Sequence, residues 1–229
     1  YGKTTDLTAM GGAQYVHTFD KCFFMPSDLT AGLEYNRDRL KDNMWGYNRH
    51  TDQTVNIYSA FLQNEWKNDR WGILIGGRLD KHNMVDNVIF SPRANLRFNP
   101  TQNINLRLSY SSGFRAPQAF DEDMHIENVG GTVAMIERAK DLKEEKSQSF
   151  SASADMYHRF GAFQTNLLIE GFYTRLTDVF VLGEPYDRGD GILVKTRSNG
   201  PGAKVMGLTL EGKVAYLSIL QIQAGLTLQ

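Results

Sequence analysis

Two polar clusters are the first candidates for chemistry. Asp121, Glu122, Asp123, His125 and Glu127 set four carboxylates and one imidazole within seven residues. That donor set could ligate a cation or face a cationic ligand. An ordinary solvated loop has the same composition, so we take the cluster as a candidate ligand-contacting loop and assign no metal and no cofactor. Tyr186, Asp187 and Arg188 precede Gly189, Asp190 and Gly191. A calcium loop needs more oxygen ligands at fixed spacing, so this stretch reads as a tight polar turn on a second candidate contact loop. His17, His50, His82, His125 and His158 occur without a G-x-S-x-G element. A serine hydrolase, whose triad would have to be assembled from spatial neighbours, is therefore a remote alternative, and we expect no enzyme. Cys22 is the single cysteine, which excludes an internal disulfide and a CxxC pair.

These residues must be held by strands. Leu220, Ile222, Ala224, Leu226 and Leu228 alternate with Gln221, Gln223, Gly225, Thr227 and Gln229, so one face is apolar and the other polar. Ile104 to Arg115 and Trp71 to Asp80 repeat the pattern. Similar runs cover roughly 12–20, 29–41, 54–67, 88–99, 147–160, 163–182 and 204–216, giving about ten strands. Most exceed the five or six residues usual in globular strands. No run approaches the ~20 apolar residues of a membrane-crossing helix, a test that does not bear on strands crossing as a barrel. The net charge of −1 includes no long basic block, and a nucleic-acid partner is excluded on that ground.

The connections sort by length. Short ones fall at 68–69, 100–101, 161 and 217–218; longer ones, at about 42–54, 82–86, 116–146 and 183–203, lie between them. Alternation of that kind places all short turns at one end of an antiparallel sheet, as in transmembrane barrels. Trp66, Trp71, Phe98, Phe160, Phe163 and Tyr216 cluster near the short turns, as a girdle at one membrane interface would. A soluble sandwich also alternates, but with shorter strands and loops that need not sort by end. Under this register Glu34, Arg78, Arg93, Asn95, Arg97, Arg107, Arg115 and Glu211 share the polar face. So much charge requires water or a polar plug in the interior, since burying unpaired charges costs several kcal/mol each. Arg78, Arg93, Arg97, Arg107, Arg115 and Glu211 are the candidate lumen residues, in contact with a plug or with substrate. Ala134–Leu142 has weak helical periodicity, which suggests a short helix or an irregular segment on the first long loop.

Four segments then carry a resemblance. SYSSGFRAPQAFDED, Ser109 to Asp123, resembles the strand exit of TonB-dependent receptors, with its G-F-R-A-P element. Gly113 relieves crowding there, and Pro117 ends the ladder because it has no N–H. DLKEEKSQSFSASADMY, Asp141 to Tyr157, resembles the returning strand, with Glu144 where the family usually has proline. LLIEGFYTRLTDVFV and NGPGAKVMGLTLEGKVAY, Leu167 to Val181 and Asn199 to Tyr216, resemble the next two strands. The resemblance implies an all-β chain, residues 1–229 being an antiparallel fragment of a 22-stranded transmembrane barrel. It implies a plug domain, a TonB box and C-terminal strands that this sequence does not contain, and a Gram-negative outer-membrane location. It further implies uptake of an iron-siderophore, haem or cobalamin through the external loops, with energy from the TonB complex reached via the missing N-terminal region. The partners are then the outer-membrane bilayer, a small-molecule substrate and TonB. A passive porin or structural barrel is the alternative.

Overall fold

The structure, a computed structural model, describes residues 2–47, 49–118, 127–129, 132–189 and 191–229. Ten long strands form one antiparallel sheet. They are β1 (Gly2–Cys22), β2 (Met25–Met44), β3 (Arg49–Lys67), β4 (Trp71–His82), β5 (Ile89–Thr101), β6 (Ile104–Arg115), β9 (Glu145–Phe160), β10 (Phe163–Thr177), β14 (Ala203–Tyr216) and β15 (Leu220–Leu228). Each pairs with its neighbour in that order, so the path is a meander. The expected set of about ten strands is thus present, most of them longer than their alternation indicated.

Five short strands lie within the two longest connections: β7 (Glu127–Val129) and β8 (Thr132–Arg138) in the first, and β11 (Phe180–Leu182), β12 (Tyr186–Asp187) and β13 (Leu193–Asn199) in the second. They form a second sheet in which β8 and β13, from different connections, pair in parallel.

Three expectations need correction. The stretch Ala134–Leu142 is not helical: β8 runs to Arg138, because Met135 and Val194 bury each other's strands in the small sheet. The 163–182 strand breaks after Thr177, where Asp178 takes a positive φ of 54°, and Phe180–Leu182 joins the small sheet instead. The loop placed at about 42–54 is mostly strand. Polar residues on both faces hid the continuation, which the ladder from Leu40↔Gln53 to Met44↔Arg49 carries. Asp42 is buried there, accepting from Thr4 Oγ1 at 2.6 Å and Arg49 Nη2 at 2.7 Å.

The faces of the large sheet separate by chemistry. Cross-strand neighbours Ile73, Leu96, Leu108, Ala152, Gly171 and Leu208 make one row of the apolar face. The opposite face carries Ser109, Ser151 and Glu170 at the adjoining positions. Leu33 and Leu108 on the apolar face are 66% and 55% exposed. A water-soluble protein rarely displays a contiguous apolar surface of this extent.

Candidate functional site: the polar face and the loop sheet

All six candidate lumen residues lie on the polar face. Arg78 opposes Ser91, Arg93 opposes Ser111, Arg97 opposes Arg107, Arg115 opposes Glu145, and Glu211 opposes Leu168. Alternation along the strands puts them there, and neighbouring groups hold Arg78, Arg97, Arg107 and Arg115. Arg78 bridges Glu34 at 2.6 Å and Asp80 at 2.8 Å, and Asp80 also accepts from Ser59 Oγ at 2.6 Å. Arg93, Arg78 and Glu34 line a concavity of about 500 Å³ together with Gln63 and Thr30. Arg97 donates to the Asn68 carbonyl at 3.1 Å, and Arg107 to Asn105 Oδ1 at 2.6 Å. Arg115 is engaged differently: its guanidinium sits 5.6 Å from the centre of the Phe180 ring. Its strand partner Glu145 accepts the Phe180 N–H at 2.9 Å. These two residues therefore tie the wall to the loop sheet.

The loop sheet tucks against the polar face at the long-loop end. Arg138 donates to Gln53 Oε1 at 3.0 Å and to the Pro117 carbonyl at 2.9 Å. The His82 ring, buried, contacts Gln118 at 3.2 Å and accepts the Met84 N–H at 3.0 Å. Asn199 clamps both connections, accepting from Lys143 N at 2.8 Å and donating to the Lys143 and Asp178 carbonyls. Just beyond, burial alone would raise the Glu144 pKa, but its own backbone N–H and the Lys146 ammonium at 3.0 Å hold it below the ordinary glutamate range. The residue that replaces the family's usual proline is thus an ion-pair partner.

Tyr186 and Asp187 lie in β12 and face solvent, and Arg188 reaches Glu137 at 3.5 Å. Gly189 donates to Asp187 Oδ1 at 2.8 Å, and Gly189 and Gly191 have φ of 98° and 79°. The described part of the expected polar turn is thus compact, and Asp190 within it lies outside the described residues. Of the acidic cluster, Asp121, Glu122, Asp123 and His125 lie outside the described residues; Glu127 is placed only as the start of β7. The other histidines stay apart: His17 packs on Phe19, His50 bonds Asn43 and His158 neighbours Phe160.

The six aromatic residues near the short turns all fall on the apolar face. Trp71 stacks on Phe98 at 4.2 Å, Phe163 lies 5.7 Å from Phe160 and 4.9 Å from Tyr216, and Phe24 stacks on Trp66. The pairing adds a second aromatic tier toward the long-loop end. Tyr58 stands eight residues from Trp66 and Phe90 eight from Phe98; Phe150 stands ten from Phe160 and Tyr173 ten from Phe163. Each pair shares a face. At ~3.4 Å per residue and a tilt near ~40°, those spacings bracket the ~25 Å apolar band of an outer-membrane barrel. Tyr35–Tyr58 and Tyr110–Phe150 contacts at 4.9 and 4.7 Å knit this tier together.

Residues 1–229 match the family model described as TonB dependent receptor-like, beta-barrel. The chain belongs to that family. Solved TonB-dependent receptors share its fold. The siderophore receptor PirA from Pseudomonas aeruginosa superposes with a TM-score of 0.74 at 15% identity, over 99% of this chain and 48% of that one. A variant of the ferric enterobactin receptor PfeA from Pseudomonas aeruginosa, in complex with enterobactin, gives 0.71 at 19% identity over 100% and 36%. The Serratia marcescens hemophore receptor HasR, in complex with its hemophore HasA and heme, gives 0.73 at 13% identity over 93% and 40%. The chain thus spans between about a third and a half of these TonB-dependent receptors. No match was found among curated protein sequences.

Proposed function

We propose that this segment belongs to an outer-membrane receptor of a Gram-negative bacterium that takes up an iron chelate, haem or cobalamin with energy from the TonB complex. The observation that carries the reading is the division of the sheet. An apolar face bounded by two aromatic tiers is suited to hydrocarbon, while an arginine-rich face is suited to water or a plug. In this reading the short turns are periplasmic and the long-loop end is external. Arg78, Arg93, Arg97, Arg107 and Glu211 then face the plug or the moving substrate. Arg115 anchors the loop sheet, and Tyr186, Asp187 and Arg188 present the outer contact surface. The similarity to siderophore, enterobactin and hemophore receptors supports an iron-bearing substrate over a glycan.

The test is uptake of labelled ferric siderophore, haem and cobalamin by cells carrying or lacking the intact receptor, with and without a proton gradient. Uptake of one of them that needs both receptor and gradient is expected. Gradient-independent leakage of small solutes with no saturable uptake would instead identify a passive pore.

A further inference from the structure

His82 is the last residue of β4 and is fully buried, at 0% exposure, whereas His17, His50 and His158 are exposed. It stands one position beyond Lys81, which opposes Tyr58 of the outer aromatic tier, so it lies outside the apolar band. Both of its ring nitrogens are committed. The Met84 N–H donates to Nδ1 at 3.0 Å, and a backbone N–H can only donate, so Nδ1 carries no proton. The proton therefore sits on Nε2, where Gln118 Oε1 accepts it at 3.2 Å. Only the neutral ring can bond in this way, because an imidazolium carries a proton on both nitrogens.

The two partners of the ring come from different connections. Met84 lies in the turn from β4 to β5, and Gln118 follows the end of β6. Asn83 is tied to β3, donating from its backbone to the Asn56 carbonyl and from its side chain to the Thr54 carbonyl. The part of the turn free to swing therefore begins at Met84. Next along it, Val85 packs with Ile89 and Ala116 in a small buried cluster, which joins the turn to the β6 exit a second time. Pro117, beside Gln118, accepts from Arg138 of β8, so the exit in turn holds the loop sheet.

The charged groups on the surrounding elements are Asp80 and Lys81 of β4, Asp86 of the turn and Arg138 of β8; the β3 residue opposite the ring is the uncharged Ile57. Asp80 favours an imidazolium but is already engaged by Arg78 and Ser59. Lys81 donates to the Val85 and Asp86 carbonyls, and Arg138 to Gln53 and Pro117. Burial pushes the His82 pKa below the ordinary histidine value, and the Gln118 bond and Asp80 offset this only in part.

We propose that His82 is a pH-sensitive latch that, when neutral, holds the β4–β5 turn, the β6 exit and through Arg138 the loop sheet against the wall, and that releases them when protonated. A proton on Nδ1 sets donor against donor at the Met84 N–H and puts a charge where water has no access. The turn from Met84 to Asp86 must then part from the ring for the imidazolium to be hydrated. Gln118 loses its partner, and Ala116 loses its packing on Val85. A lowered folded-state pKa fixes the direction: above the unfolded-state value of ~6.5 the latch contributes in full, and its contribution is lost as pH falls from there through the folded-state value. The latch depends on the contact between wall and loop sheet and is independent of what is transported.

The test is hydrogen exchange of the intact receptor in detergent, read by mass spectrometry at about pH 7.5 and about pH 5, which bracket ~6.5. After correction for the intrinsic rates of free amides, peptides covering 82–89 and 114–118 are expected to exchange about tenfold faster at the lower pH, with β9 and β10 unchanged. His82→Asn offers the Met84 N–H an acceptor on a side chain that does not titrate, so its corrected exchange should be alike at both values. Exchange of the His82 ring C–H in the unaltered receptor reports protonation without any substitution, and it should be slow, with a midpoint below that of free histidine. Equal corrected exchange at the two pH values in the unaltered receptor would overturn the proposal. So would acid loosening that persists in His82→Asn, or a ring midpoint at or above that of free histidine.

Discussion

The wall and the loop sheet use the same kinds of residue in opposite ways. On the wall, Leu33 and Leu108 are 66% and 55% exposed, whereas in the loop sheet Met135 and Val194 are 1% and 0% exposed. The loop sheet is therefore held in part by burial of the apolar side chains Met135 and Val194. Apart from Leu40, Val55 and Ile89, the wall's apolar side chains are largely exposed, so most of it gains little from burial. Its cohesion comes from the ladder, from cross-strand pairs and, in the proposed setting, from the surrounding hydrocarbon. Removing water from outside the wall and removing it from inside the loop sheet should thus be separable experiments.

The largest effect is expected where the loop core is emptied. Met135→Ala should cost about 2–5 kcal/mol locally, by analogy with other buried large-to-small changes. Hydrogen exchange should then quicken in β8 and β13 while β9 and β10 keep their protection. Loss of protection in the wall as well would mean that the two regions form a single cooperative unit, and the contrast would be wrong.

The second prediction inverts the chemistry. Leu210→Arg, midway between Met206 and Tyr216 on the apolar face, should destabilise the bilayer-embedded receptor by about 2–4 kcal/mol. Thr209→Arg, one residue away on the polar face, should change stability little. Urea titration of the receptor folded into vesicles reads both. Equal effects at the two positions would mean that the wall does not separate lipid from water.

How far this division could be read beforehand follows from the same physics. The wall was legible because a half-polar strand writes its two faces into every second residue, as Leu220 to Leu228 do. The polar-face positions of Arg78, Arg93, Arg97, Arg107, Arg115 and Glu211 came with it. The loop sheet was not legible. Its central contact joins β8 and β13, whose registered pair Met135↔Val194 has the wall strands β9 and β10 between its two members in the sequence. No local periodicity records such a partner. Alternation gives the polar-face position of Arg115, but its engagement with Phe180 depends on that same long-range pairing. The second aromatic tier could have been found: Phe163 and Tyr173 share parity ten residues apart on one strand.

A third prediction sharpens the account of what holds the wall. If cross-strand pairs matter more than burial there, the Trp71–Phe98 stack at 4.2 Å should show a coupling of about 0.5–1.5 kcal/mol in a double-mutant cycle with alanine. Additive single effects would assign its contribution to lipid contact alone.

The smallest effect lies at the junction of the two regions. Glu144 is drawn below the ordinary glutamate range by its own backbone N–H and by Lys146, against the opposing effect of its burial. A carboxyl with a lowered folded-state pKa stabilises the fold above its unfolded value, near ~4.3, and that contribution is lost as pH falls through the lowered value. Because Lys146 is half exposed, the pair should contribute only about 0.2–1 kcal/mol. Glu144→Gln should therefore be slightly less stable than wild type at pH 6, and the difference should vanish in acid below the lowered value. Exchange rates at the start of β9, followed across that range, check it. A difference that persisted in acid would show that Glu144 acts through shape and not charge, so that the junction is held as the loop core is.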